Sequence, residues 1–273
     1  MICELACAID PSGAHRGFLV VITFKFDESH KGSRSFIVGG WIGEGRHWRK
    51  LEKQWQKAIA HENKTLPEGR KISRYHAAQM NANDGEFRGW EKEPHRKLRF
   101  TKKLIKILGR SRLSGIAVGL DLKAFLDIFP EREPSDLTTA YILCMQHLMG
   151  AIGDAIGQWP KDCRVALVHD HGDWDRWALH AYNELMANEE FKHRDRFVSM
   201  TALTWKCDVG LQAADLIAYE LMRCLDDTLW TGKDMRIPLR EIMQMNDHVS
   251  GFYLNREALQ KFGHRIEQIN ETI

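Results

Sequence analysis

Three carboxylates carry the chemistry this sequence suggests: Asp27, Asp170 and Asp215. Asp27 opens Asp27-Glu28-Ser29, directly after the apolar run Phe18–Phe26, and Asp170 follows a second run, Cys163–Val168. Asp215 sits inside DVGLQAADLIAYELMRCLD (Asp208–Asp226), where helical spacing sets it beside Leu211, Ala218 and Met222 on an apolar face. An unpaired buried carboxylate costs several kcal/mol, roughly. Such a group calls for a basic partner or a cation. Oxygen donors from two strand ends and a covering helix suit a hard ion, Mg2+ or Mn2+, which keeps waters for a substrate phosphate. Two such ions would activate water and stabilise the leaving oxygen in phosphodiester hydrolysis. Plainer readings stand beside this one. Asp215 could pair with Arg or Lys in the core, and Asp27 and Glu28 could be turn residues.

Other residues carry similar alternatives. His169 and His171 flank Asp170 on alternate strand positions, so they share the face opposite to it. They suit a transition metal, as in a small-molecule metallophosphoesterase built on His169–Asp173, or ordinary polar strand-end roles. His76 reads equally as proton shuttle, ligand or structural histidine. Asp121 reads as the N-cap of a helix over Leu122–Phe129, and Asp173 and Asp175 as caps of the helix from Trp174. Arg96, Arg99, Lys103, Lys106 and Arg110 recur at threes and fours, a basic stripe fit for a phosphate backbone or for a solvated face. A second basic cluster, Arg46–Lys50, contains Trp48, which the core requires.

The elements that must position these groups follow from apolar periodicity. Phe18–Phe26 predicts a strand buried on both faces, returning through His30–Ser33 as a second strand over Ser35–Val38 before Gly39-Gly40. Helices are predicted over His47–Asn63, Pro94–Arg110, Ser135–Gln158 with Ser135 as N-cap, Trp174–Asn188, Asp208–Asp226 and Asn255–Ile269 with Ile266 inward. Further strands are predicted over Gly115–Leu120, Cys163–Val168 and Phe197–Trp205. The segment Gly232–Ser250 has only weak periodicity. Strand–strand–helix followed by alternating strands and helices predicts an α/β sheet with covering helices. The division expected is a leader over 1–17, a main domain over 18–230 and a helical extension over 231–273.

Composition sets the outer limits. With 273 residues and 44% apolar content, the chain can bury a substantial core. Its formal net charge of +2 points to no polyanion partner globally, so any basic surface is local. The first seventeen residues lack the basic start of a signal peptide, and no apolar run is long enough to span a membrane. Six cysteines with no CxxC pair read as reduced core thiols, and a cytoplasmic protein is expected.

Four motifs in order carry a resemblance: Asp27-Glu28-Ser29, Tyr75-His76-Ala77, Val168-His169-Asp170, and Leu211–Ala218 with its Gln212-Ala213-Ala214-Asp215 centre. On these, spanning about residues 18 to 226, the chain resembles the domain of unknown function 3800 family of the ribonuclease H-like superfamily. The resemblance implies a ribonuclease H-like fold and a metal site from Asp27, Asp170 and Asp215, with Glu28 as auxiliary ligand and His76 nearby. Family members often carry a second acid after the third-motif Asp, where this chain has His171. The expected activity is metal-dependent cleavage of nucleic acid, DNA or RNA. The expected alternative is a non-catalytic nucleic-acid or protein-binding module on the same fold.

Overall fold

The structure is a computed structural model that describes residues 20–30, 32–129, 137–245 and 249–263. The leader, Ser135 and Ile266 lie outside the described residues. The sheet opens with β1 (Val21–Ser29) and β2 (Ser35–Glu44), paired antiparallel from Ile22 opposite Glu44 to Ser29 opposite Ile37. Helix α1 (Gly45–Asn63) follows, then a short α2 (Ala77–Ala82) and α3 (Pro94–Gly109). Next come β3 (Ser114–Asp121), α4 (Leu122–Ile128) and α5 (Thr138–Ala155). They are followed by β4 (Arg164–Asp170), α6 (Asp175–Ala187), β5 (Phe197–Leu203) and α7 (Val209–Leu225). The described chain closes with α8 (Ile237–Met245), β6 (Val249–Leu254) and α9 (Arg256–Lys261).

The sheet order is β5-β4-β1-β2-β3-β6. β2 is antiparallel to both neighbours, whereas β1–β4, β4–β5 and β3–β6 are parallel. This is the expected ribonuclease H-like layout, a mixed sheet opened by an antiparallel hairpin and covered by helices. Each face has its own core. Ile22, Phe24 and Phe26 of β1 face α5 and α6, while Ile37, Trp41 and Ala117 face α1, α3 and α7. Strand alternation therefore turns Lys25 and Asp27 toward α7, and Lys25 Nζ meets Asp208 Oδ2 at 2.5 Å there.

Three expectations need correction. Asp27, Glu28 and Ser29 are not turn residues: β1 runs through all three, paired with Gly39, Val38 and Ile37. The second strand does not stop at Gly39-Gly40 but crosses both and continues to Glu44. The reason is close approach. A Cβ on Gly40 would lie 1.9 Å from the Lys25 carbonyl oxygen and 2.6 Å from Phe26 Cα, so only glycine lets β2 pass. The third correction concerns 231–273, which is no purely helical extension. β6 extends the sheet beside β3, from Gly115 opposite Val249 to Leu120 opposite Leu254. Its half-exposed pattern, with Phe252 on the outside, hides the strand from a search for apolar runs.

Gly40→Ala is expected to cost more than about 4 kcal/mol, because no flexible side chain can yield to the new methyl. Gly150→Ala, whose Cβ would meet nothing within 4 Å, is the control. Comparable soluble yield and melting for the two variants would refute the steric argument.

Candidate active site

Asp27 and Asp170 stand at the carboxyl ends of the adjacent parallel strands β1 and β4, which pair as far as Phe26 opposite His169. Asp215 projects from α7, and α7 packs on β1 and β2. That packing is close because residue 210 is glycine: a Cβ there would lie 2.3 Å from Lys25 Cδ and 2.9 Å from Trp48. The helix starts at an N-cap, Asp208, whose carboxylate accepts the Leu211 N–H at 3.0 Å. Lys25 holds the same carboxylate, so the start of α7 is tied to β1 two residues before Asp27.

The individual acids are held by backbone donors. Asp27 Oδ1 accepts the Glu28 N–H at 2.9 Å, Asp170 Oδ1 the Trp205 N–H at 2.8 Å, and Asp215 Oδ2 the Ala77 N–H at 2.6 Å. Among the described residues no Lys or Arg pairs with Asp27, Glu28, Asp170 or Asp215. Burial, then the charges of Glu28, Asp215 and Asp170, push the Asp27 carboxyl well above the usual carboxylate range. Burial, then the charges of Glu28, Asp170 and Glu220, take Asp215 to about 7 against the pull of the Ala77 N–H. Burial also raises Asp170. These groups share one electrostatic neighbourhood that lacks a cation.

Glu28 occupies the alternate position of β1, on the side of Phe24 and Phe26. Burial takes its carboxyl to about 7, and the charges of Asp170 and Asp173 act in the same direction. Glu28 is thus next to Asp27 in the chain but on the other strand face.

His76 Nδ1 lies 3.6 Å from Asp215 Oδ2, too far for a hydrogen bond, and it has no other partner among the described residues. Burial and the nearby Arg74 charge lower its pKa, so the ring is neutral and the contact is no ion pair. The ring stands edge-on to Trp205 with centroids 4.7 Å apart, and the Arg74 guanidinium covers the same indole at 4.6 Å.

Gln212, which the sequence marks only as part of the fourth motif and without a role, ties this together. Gln212 Oε1 accepts from Trp55 Nε1 at 3.1 Å and from the Tyr75 N–H at 3.0 Å, while its Nε2 donates to the Trp205 carbonyl at 3.1 Å. One buried amide thereby joins α1, the segment carrying His76, and the loop that holds Asp170. Its signal was a polar residue on the buried side of α7, three residues before Asp215.

The remaining candidates lie elsewhere. His169 is buried on the opposite sheet face, stacked on Phe26 at 5.7 Å, with Nδ1 2.9 Å from the Asp170 carbonyl oxygen. β4 ends at Asp170, so His171 lies beyond the strand, where its Nδ1 is hydrogen bonded to Asp175. Asp175 also accepts the Gly172 N–H at 3.0 Å, so the two histidines serve the entry to α6. Asp121 caps α4 as expected, accepting the Ala124 N–H at 2.9 Å. Arg96 leaves the basic stripe. It is buried, donating to Glu62 at 2.6 Å, Thr65 at 2.6 Å and Glu93 at 3.0 Å. The sequence spacing set it in register with Arg99 and Arg110, but a buried Glu62 claims it. Arg99, Lys106 and Arg110 are exposed and Lys103 is half-buried, all away from the acids on the outer side of α3.

The donor set fits a hard divalent ion by chemistry: carboxylate oxygens, mutually repelling, without a basic partner. Among the described residues, no group of three or more His, Cys, Asp and Glu is placed so that it could hold a metal ion. No family model matches the chain, and no curated protein matches it. A crystal structure of Bst ribonuclease HIII in complex with Mn2+ is similar to it, with a TM-score of 0.45 and 14% identity. The match covers 78% of this chain and 56% of that one, so this chain spans little more than half the length of its neighbour.

Proposed function

We propose that this protein hydrolyses phosphodiester bonds of nucleic acid, using Mg2+ or Mn2+ held by Asp27, Asp170 and Asp215. The observation that carries the reading is the cation-free cluster of acids where β1, β4 and α7 meet, with Asp215 raised to about 7. A binding module that kept these acids for folding would pair them with Arg or Lys. When bound, such an ion supplies Lewis-acid polarisation of a phosphoryl oxygen and makes water more acidic. Backbone N–H bonds fix one oxygen each of Asp27, Asp170 and Asp215 and leave the other for ligation or for orienting water. Glu28, buried next to Asp27 with its carboxyl raised to about 7, can take up or release a proton as the local charge changes. Neutral His76 offers an unpartnered Nδ1 beside Asp215, where it can accept a proton from the attacking water.

With this reading we take the chain for a member of the domain of unknown function 3800 family, on its four motifs in order. A cytoplasmic setting is part of the same proposal, supported by the unpaired thiols of Cys144, Cys163 and Cys224. Calorimetric titration tests the metal site. Wild type is expected to bind Mn2+ at millimolar concentration or below, and Asp170→Asn to lose at least tenfold in affinity. A cleavage screen over single- and double-stranded DNA and RNA then assigns the substrate. Absence of metal binding by the wild type would remove the proposal.

A further inference from the structure

Helices α1 and α3 enclose a groove of about 750 Å³ on the side away from the sheet. Its lining includes Lys57, Arg99, Lys102, Lys103, Lys106 and Arg110, and it contains no Asp or Glu. Lys102 is neutralised by Glu241 at 2.6 Å, and Arg99 lies 3.8 Å from Glu62. Lys57, Lys103, Lys106 and Arg110 take part in no ion pair among the described residues. Lys53 extends the basic wall of α1 along an adjoining groove. In a chain of net charge +2, this concentration of uncompensated positive charge is local. Desolvated or crowded like charges cost free energy, so such a wall is kept when a polyanion relieves it.

We propose that the α1–α3 groove is a binding site for the phosphate backbone of a nucleic acid, separate from the acid cluster and independent of base sequence. Its chemistry is that of backbone contact. The groove carries Lys57 on its α1 wall, lysine and arginine heads along its α3 wall, and no Trp, Tyr or Phe against which a base could stack. From Arg99 to Arg110 the helix rises about 16 Å, the axial length of about five nucleotides of one DNA strand. An acidic protein segment would want apolar anchors between its charges, and the lining offers only Ala58, Leu98 and Ile107. The groove also connects to the acid cluster through the chain. Asn63, at the end of α1, grips Ile72 through both its amide oxygen and its amide nitrogen, at 2.9 and 2.8 Å. Four residues after Ile72 the chain reaches His76. A strand lying in the groove is thus gripped on the helical layer that also contributes Asp215, which extends the nuclease reading from a site to a footprint and rests on it.

The test compares the full-length protein with the variant Lys57→Gln/Lys103→Gln/Lys106→Gln/Arg110→Gln. Binding of a labelled 20-base-pair DNA duplex is followed by anisotropy against salt, with EDTA present to prevent cleavage. The variant is expected to bind at least about tenfold more weakly at 0.1 M salt, with a log–log salt slope shallower by about two to four. An unchanged slope would overturn the proposal, as would equally tight wild-type binding of poly-glutamate at matched salt. Hydrolysis of bis-p-nitrophenyl phosphate with Mn2+, a substrate too small to span the groove, reports the acid cluster alone. Its retention in the variant supports the separation of the two sites, and its parallel loss overturns it. Steep wild-type duplex binding without any hydrolysis would keep the groove and remove the nuclease reading.

Discussion

Asp215→Asn is expected to abolish metal-dependent cleavage and, in EDTA, to melt at a higher temperature than wild type above pH 7. Both effects follow from one feature, a buried carboxyl raised to about 7 first by desolvation and then by neighbouring acids. The sign is set by linkage. A carboxyl whose folded pKa lies above its unfolded value binds more protons in the native state, so its penalty is absent below about pH 4. Stability is then lost as pH rises through about 7, the folded value. A rise from 3.8 to about 7 corresponds to at most about 4 kcal/mol, shared with Asp27 and Glu28 through their coupling. Asparagine removes the charge and can still accept the Ala77 N–H through its amide oxygen. Activity should fall by at least about a hundredfold, the scale on which deleting a charge-stabilising group acts. Thermal melts of both proteins from pH 5 to pH 9, with EDTA and with Mn2+, check the argument. In the wild type Mn2+ should reverse the alkaline loss, because metal competes with protons for the same oxygens. A variant that melts lower than wild type at pH 8 in EDTA would mark Asp215 as a paired structural acid instead.

Gln212→Leu is expected to lower stability and metal affinity together, although residue 212 lies outside the acid cluster. Leucine matches the volume but leaves the Trp55 Nε1–H and the Tyr75 N–H without an acceptor, and the Trp205 carbonyl without a donor. Each orphaned donor costs about 1–3 kcal/mol in a buried setting. A total of roughly 3–5 kcal/mol would lower the melting temperature by about 10 °C. The loss should also reach the chemistry. Tyr75 precedes His76 and Ala77, and the Trp205 N–H holds Asp170, so both sides of the site loosen together. Melting and metal titration on the same sample separate the two effects. A variant within 2 °C of wild type, with unchanged Mn2+ affinity, would show that the amide is dispensable.

The contrast between Asp215 and Gln212 shows what was legible beforehand. Asp215 announced itself because a charge on an apolar helical face needs a reason. Gln212 faces the same side of α7, but a neutral amide raises no electrostatic alarm, and its three partners are scattered from Trp55 to Trp205. The strands bearing Asp27 and Asp170 could be read from their apolar runs, although β1 is fully buried only on the side of Ile22, Phe24 and Phe26 and half-buried on the other. Glu28 could not be assigned to a side, because the reading ended the strand one residue before Asp27. Arg96 fitted the stripe by spacing; only the fold brings Glu62 from the preceding helix under it. Strand β6 stayed hidden for a related reason. Edge strands bury little, so their alternation is weak, and what identifies them is the neighbour they pair with.

The pairing of β6 with β3 has a consequence for synthesis. Ser114–Asp121 leaves the ribosome long before Val249–Leu254 does, and in that interval the edge of β3 is an open template of backbone donors and acceptors. A nascent chain therefore carries a nearly complete sheet, with its acid cluster assembled and one adhesive margin uncovered. Chaperone occupancy of translating ribosomes should be highest over this window and fall once the last strand has emerged.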